Sequence, residues 1–311
     1  MKTGIQKWLA AAVLAAVLCA GCGAQAPGTE PAEVTEQEAP TDGGMPGTTA
    51  PGKESRKNAS AAIDYSNARD GYIMAAWTEG ADAKLKLLIG IPDGTIYQYD
   101  LRADGRYEAF PLSGGNGTYG VGVYRNTEGT EYATVLTAEI EVELADEFAP
   151  FIRPNQYVFY TAESAAVRKA ETLCAGAEDN LGKVGRVYDY VVGNLSYDQE
   201  KAETVESGYL PDIDETLASG KGICFDYAAL MAAMLRSQGV PVKLVVGFTG
   251  EAYHAWLSVY SETDGWIEGK IFFNGREWKL MDPTFASTGN SSDAILEYIG
   301  DGTNYTAKYL Y

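Results

Sequence analysis

Histidine is nearly absent from this chain: of 311 residues one is His, four are Cys, and only 24 are Lys or Arg against 43 Asp or Glu. Each scarcity excludes something. With a formal net charge of -19 and no basic cluster, a phosphate-rich partner is repelled, which argues against nucleic acid and against docking on anionic lipid. Four cysteines, two of them before residue 23, do not build a disulfide framework. One histidine does not supply the several His or Cys ligands that structural zinc sites recruit, so a zinc site from Cys224, His254 and Asp282 is disfavoured and no metal or other cofactor is called for. The N-terminal apolar stretch, Trp8 to Leu18, falls short of the roughly 20 residues needed to cross a bilayer.

What is present begins with that stretch. Lys2 and Lys7 precede it and small residues follow it, the pattern of a secretory signal peptide over residues 1–22. Its end, with Ala20 and Gly21 before Cys22, resembles a bacterial lipoprotein cleavage box, with Cys19 standing where leucine is usual. The resemblance implies lipidation at Cys22. The expected location is therefore extracytoplasmic, lipid-anchored to the bacterial cell membrane, with the membrane touched only through that anchor. Residues 23–60, rich in Pro, Gly, Thr and Glu and poor in large apolar side chains, read as a disordered linker.

From 61 to 161 the pattern changes to short apolar and aromatic runs, among them GYIMAAW, AKLKLLIGI and TYGVGVY, separated by the turn dipeptides Asp93-Gly94, Asp104-Gly105 and Asn116-Gly117. A small antiparallel β-sandwich in an accessory role is expected there. From 162 to 311 the class is α+β. Val184, Val187, Tyr188, Val191, Val192 and Leu195 fall at steps of three and four, the stripe of a buried helix. A loop rich in Asp, Glu and Gly leads to a second helix beginning near Cys224, with Tyr227, Leu230, Met231, Met234 and Leu235 on one side and Gly239 and Pro241 ending it. Strands are expected at VKLVVGF, YHAWLSVY and REWKLMD, then a short helix and an aromatic tail from Ser291 to Tyr311.

Three residues in this second domain carry chemistry. A thiolate is the nucleophilic form of cysteine, and a helix N-terminus or a nearby imidazolium favours it; Cys224 stands where such a helix starts, after Gly220 and Gly222. In the YHAW strand, Ala255, Leu257 and Val259 alternate to the core side, leaving His254 on a mixed face from which it can reach a neighbouring helix terminus. Asp282, just before Pro283, ends the WKLMD strand and leaves a carboxylate at its tip. Cysteine, histidine and aspartate in this order are the parts of an activated thiol nucleophile. Cys174 shares helical spacing with Val167 and Ala170 and reads as a core thiol, although a bridge from it to Cys224 stays open.

The blocks GKGICFDYAAL, YHAW and WKLMDPTF resemble those of the transglutaminase-like superfamily of cysteine enzymes, over about Ala165 to Tyr311, and NLSYD resembles that family's upstream segment. The β-rich part is similar to the accessory domain of some bacterial surface lipoproteins. The resemblance implies a transglutaminase-like fold of the papain-like superfamily, with helices packed on an antiparallel sheet. It implies Cys224 as nucleophile, His254 as base and then acid, and Asp282 as the group orienting the imidazole. Papain-like proteases themselves place the histidine ~130 residues or more beyond the cysteine, against 30 here. The implied reaction is acyl transfer or hydrolysis at a peptide or protein amide, cell-wall peptide included, through a thioester. Whether water or an amine takes the acyl group stays open. The reading from another class is a non-catalytic cell-surface binding module on the same fold, recognising peptide or glycan through some of its 21 tyrosines.

Overall fold

The computed structural model describes residues 45–80, 82–267 and 305–311. The signal segment, Cys22, the REWKLMD strand and Asp282 lie outside the described residues. Two four-stranded antiparallel sheets make up the N-terminal half. The first has the order β1-β2-β3-β6, from Ser55–Lys57 (β1), Ala61–Asp64 (β2), Tyr72–Trp77 (β3) and Glu108–Pro111 (β6). The second has the order β5-β4-β7-β8, from Ile96–Leu101 (β5), Leu85–Gly90 (β4) and the twelve-residue strands Gly117–Glu128 (β7) and Glu131–Val142 (β8). The alternation in β4, with Leu85, Leu87 and Ile89 buried, gives that sheet its inner face.

The structure corrects the C-terminal part of the expected linker. Residues 45–60 are placed, and β1 pairs with β2. Although this stretch buries little, three of its backbone donors are taken by side chains of the sheet and of the turn after β2: Gly52 N–H donates to the buried Asp64 carboxylate at 2.5 Å, Glu54 N–H to Ser66 Oγ at 2.8 Å and Thr49 N–H to the Tyr72 hydroxyl at 3.0 Å. Satisfied amides hold a segment whose composition lacks apolar mass.

In the C-terminal half, helices Ala165–Cys174 (α1), Asn180–Asn194 (α2) and Cys224–Arg236 (α5) pack together, and α5 lies on the sheet β13-β12-β11-β14. Its strands are Val242–Thr249 (β11), Ala252–Ser261 (β12), Gly265–Ile267 (β13) and Tyr305–Leu310 (β14). The stripe Val184, Val187 and Val191 of α2 is buried as the spacing requires. Helix α5 departs from expectation: every residue from Asp226 to Arg236 is buried, not one side only, because helices cover one flank and the sheet the other. The aromatic tail departs too, since residues 305–310 form a strand hydrogen-bonded to β11.

The loop expected before α5 holds two helices, Gln199–Thr204 (α3) and Ile213–Ser219 (α4), and a short parallel pair between Ser196–Tyr197 (β9) and Lys221–Gly222 (β10). Asp198 and Asp212 cap the two helices through their carboxylates. Aspartates placed three residues ahead of their partners are a start signal visible in the sequence, hidden there by the high overall content of acid and glycine.

One core cluster runs through both halves, from Ile63 and Trp77 to Leu244 and Leu257. Aromatic rings bridge the seam: Tyr99 of β5 stacks on Tyr157 with centroids 5.6 Å apart, and Tyr157 meets Tyr311 at 4.6 Å and Phe225 of α5 at 5.3 Å. Arg236, fully buried at the end of α5, ties three segments by donating to the carbonyls of Val242 (2.6 Å from Nη2), Tyr311 (2.6 Å) and Arg153 (2.9 Å). Burial pulls its guanidinium down to about 10. A lysine keeps the charge without the planar fork that spans three acceptors. Arg236→Lys is expected to lose roughly 1–3 kcal/mol in denaturant unfolding, the cost of leaving buried carbonyls without donors; a midpoint equal to that of the unaltered protein would contradict this.

Candidate active site

Cys224 is the first residue of α5, and the local sequence fixes that start. Ile223 precedes the helix in extended conformation. Two residues after the cysteine, the Asp226 carboxylate turns back to accept the Ile223 N–H at 2.8 Å. The first-turn amides of a helix lack intrahelical acceptors and carry the positive end of its dipole, and the Cys224 side chain stands at that end. Gly222 is required by this turn, because a Cβ there would lie 2.7 Å from Asp226 Cβ. The room this glycine makes is therefore filled by Asp226.

His254 lies on β12, paired with Gly247 of β11. It is 7% exposed. The Trp256 ring runs nearly parallel to the imidazole, 19° apart with centroids at 6.3 Å, and Tyr305 of β14 sets its edge against both. The face of β12 expected to be mixed is also buried, at Trp256 and Ser258, since β14 brings Tyr305 against it.

Cys224 and His254 line one cavity of about 490 Å³. Its boundary is drawn from both halves: Lys86, Gln98 and Asp100 from the second β-sheet, Tyr157 and Tyr311 from the aromatic seam, Tyr253 beside the histidine, and residues 205–210 as a rim. Burial raises the Tyr157 and Tyr253 phenols, so both enter the cavity as neutral hydroxyls at physiological pH. Lys86 and Asp100, opposite each other on β4 and β5, form an ion pair at 2.5 Å on the far wall.

The other cysteine behaves as its spacing suggests. Cys174 closes α1, buried beside Ala170, and burial pushes its thiol up. Both Cys174 and Cys224 are free, so the bridge between them is not formed. Among the described residues no group of three or more His, Cys, Asp or Glu is arranged to hold a metal.

Residues 167–269 match the model of the transglutaminase-like superfamily. The chain carries a transglutaminase-like domain. Uncharacterized protein YebA of Bacillus subtilis is 31% identical over 117 residues, which cover 34% of this chain and 16% of YebA. The mouse kyphoscoliosis peptidase is 27% identical over 139 residues, 41% of this chain and 19% of that protein. The chain thus spans under a fifth of either relative. Red sea bream transglutaminase is similar to 74% of this chain over 53% of its own, at 13% identity and a TM-score of 0.31. The transglutaminase-like domain here is α+β, with a sheet-rich region before it.

Sequence reasoning missed Asp226, Lys201 and Tyr209, whose side chains hydrogen-bond to one another at the first turn of α5, and the cavity-lining residues Lys86, Gln98 and Asp100. Asp226 had a signal, an acid at the third position of a helix; the wall residues had none. The two thiols give a direct check. In the native protein a small neutral alkylating reagent should modify Cys224 at least roughly tenfold faster than Cys174, which reacts only through opening of the core. Peptide mapping after a timed exposure reads the ratio, and equal rates would contradict the burial described.

Proposed function

We propose that this protein is a lipid-anchored extracytoplasmic cysteine enzyme that performs acyl transfer or hydrolysis at peptide or protein amides. The observation that supports this reading is the shared cavity: the thiol at the positive end of α5 and the chain's single histidine open into one cleft, within a domain of a superfamily whose motifs the sequence carries. Cys224 Sγ, as thiolate, attacks the amide carbonyl carbon and forms the C–S bond. The imidazolium of His254 gives its proton to the departing nitrogen as the C–N bond breaks, leaving a thioester. Neutral His254 then takes a proton from water or from an acceptor amine as that nucleophile attacks, and the thiolate leaves. Asp282 is assigned the orientation of the imidazole from its motif alone. First-turn backbone N–H groups of α5 are suited to the oxyanion that develops on the carbonyl.

Anchorage follows from the N-terminal segment. Cys22→Ala should abolish incorporation of a fatty-acid label and release the protein from the membrane fraction; retained label would remove the anchor from the proposal.

Catalysis is tested on a casein-derived peptide, with ammonia release, bond cleavage and incorporation of a fluorescent primary amine each measured. Cys224→Ala should abolish all three, and His254→Ala should lower the rate by about 10²- to 10⁴-fold, the range for loss of a positioned general acid–base group. Cleavage without amine incorporation assigns hydrolysis, and the converse assigns cross-linking. Unchanged rates in Cys224→Ala would overturn the enzyme reading and leave the surface binding module, for which Tyr253 and Phe248, exposed and in edge contact at 5.4 Å, are the aromatic surface at hand.

A further inference from the structure

Behind the cleft rim lies a second cavity, of about 660 Å³, lined by Lys201, Thr204, Asp212 and Lys221 among others. Tyr209 and Leu210 border both cavities. The segment 199–210, which carries that rim, is therefore a wall with space on each side. Its helix, α3, buries none of its residues. Apolar packing does not account for where this wall stands.

Polar contacts do. The β9–β10 pair sets α3 beside the start of α5, with Asp198 N–H donating to the Gly222 carbonyl at 2.9 Å. From there Lys201 Nζ reaches Asp226 Oδ2 at 2.7 Å and the Tyr209 hydroxyl at 2.6 Å, while that hydroxyl donates to Asp226 Oδ1 at 2.5 Å. Asp226 is fully buried. Its two oxygens thus accept from Ile223 N–H, Lys201 and Tyr209, which joins the first turn of the cysteine helix to both ends of the wall. Tyr209 is pushed up to about 12, first by burial and then by its bond to Asp226, so it stays a donor. Lys201 stays a cation: burial opposes its charge, and the bonds to Asp226 and Tyr209 outweigh that and raise it. The buried carboxylate, two residues from Cys224, is thus paired with an ammonium at 2.7 Å. Beyond Tyr209's neighbour, Gly208 (φ +89°) lies so near Asp100 on β5 that a Cβ would come 3.0 Å from its Oδ2, which closes the wall against the β-rich half.

We propose that Asp226, Lys201 and Tyr209 are positioning residues that fix the 199–210 wall over Cys224 and thereby set the width of substrate the cleft admits. The inference rests on the proposed function for the word substrate, but the wall and its anchor stand apart from turnover. The wall and Tyr253 line the same cavity as Cys224, so a displaced wall changes the space beside the thiol.

The experiment uses the intact chain with Tyr209→Phe, Lys201→Met and Lys201→Arg. Hydrogen exchange is read across 199–210, and Cys224 is alkylated with iodoacetamide and, separately, with a bulky peptidyl chloromethyl ketone. Tyr209→Phe keeps the ring and removes only the hydroxyl. Exchange in 199–210 should rise about tenfold or more, as expected on losing a hydrogen bond to a charged group, with exchange in α1 and α2 unchanged. The ratio of bulky to small reagent rates should rise severalfold. Lys201→Met should act likewise, and Lys201→Arg should restore much of the ratio, which a general loss of stability would not do. Unchanged exchange and an unchanged ratio in both Tyr209→Phe and Lys201→Met would overturn the proposal. If instead the wall loosens as expected while His254→Ala leaves iodoacetamide rates untouched, the wall anchor holds and the enzyme reading fails.

Discussion

Helix α5 is surrounded on every side from Asp226 onward, and the rest of the molecule is arranged around that burial. A sheathed helix has no free flank. Its only opening to solvent is its first turn, where Cys224 and Phe225 are partly exposed and the backbone amides have no intrahelical acceptor. Chemistry at this helix is therefore restricted to its positive end. The far end is held by Arg236, whose fork gathers carbonyls from three segments, so the axis is fixed at one end by a buried cation and at the other by a buried carboxylate.

From that constraint the cleft follows. β12 packs on α5 and carries His254 into the cavity that Cys224 also lines, and β14, arriving from far along the chain, extends the sheet and brings Tyr305 against His254 and Tyr311 to the cavity. The β-rich half is joined through the ring cluster of Tyr97, Tyr99, Tyr157 and Tyr311, which shares its core with the helices. Its strands β4 and β5 then form a wall of the same cavity. A region that reads as an accessory module is, in the folded chain, part of the boundary of the site.

Local chemistry explains which parts were legible. The start of α5 could be placed because glycines precede it and apolar residues follow at helical spacing, and strands β3, β4 and β7 because they are short apolar and aromatic runs separated by turn residues. Cys174 announced itself through Val167 and Ala170. Three features stayed hidden. Residues 45–60 look like linker because side chains elsewhere, Asp64, Ser66 and Tyr72, satisfy their amides. The 305–310 strand looks like a tail because its partner, β11, is some sixty residues earlier. The set of Lys201, Tyr209 and Asp226 is spread over two helices and a loop, and none of the three is unusual alone.

The sequence by itself determined the superfamily, the α+β class, the nucleophile candidate and the histidine, since each rests on residue type and short spacing that survive any arrangement of the chain. Tertiary structure decided what stands around them: that both faces of β12 are buried from His254 to Val259, that the two halves share one core, and that residues 205–210 line the same cavity as the thiol. Those outcomes depend on contacts between residues tens of positions apart, whose free energy is set by burial and by the pairing of polar groups away from water, and no local pattern encodes such pairing.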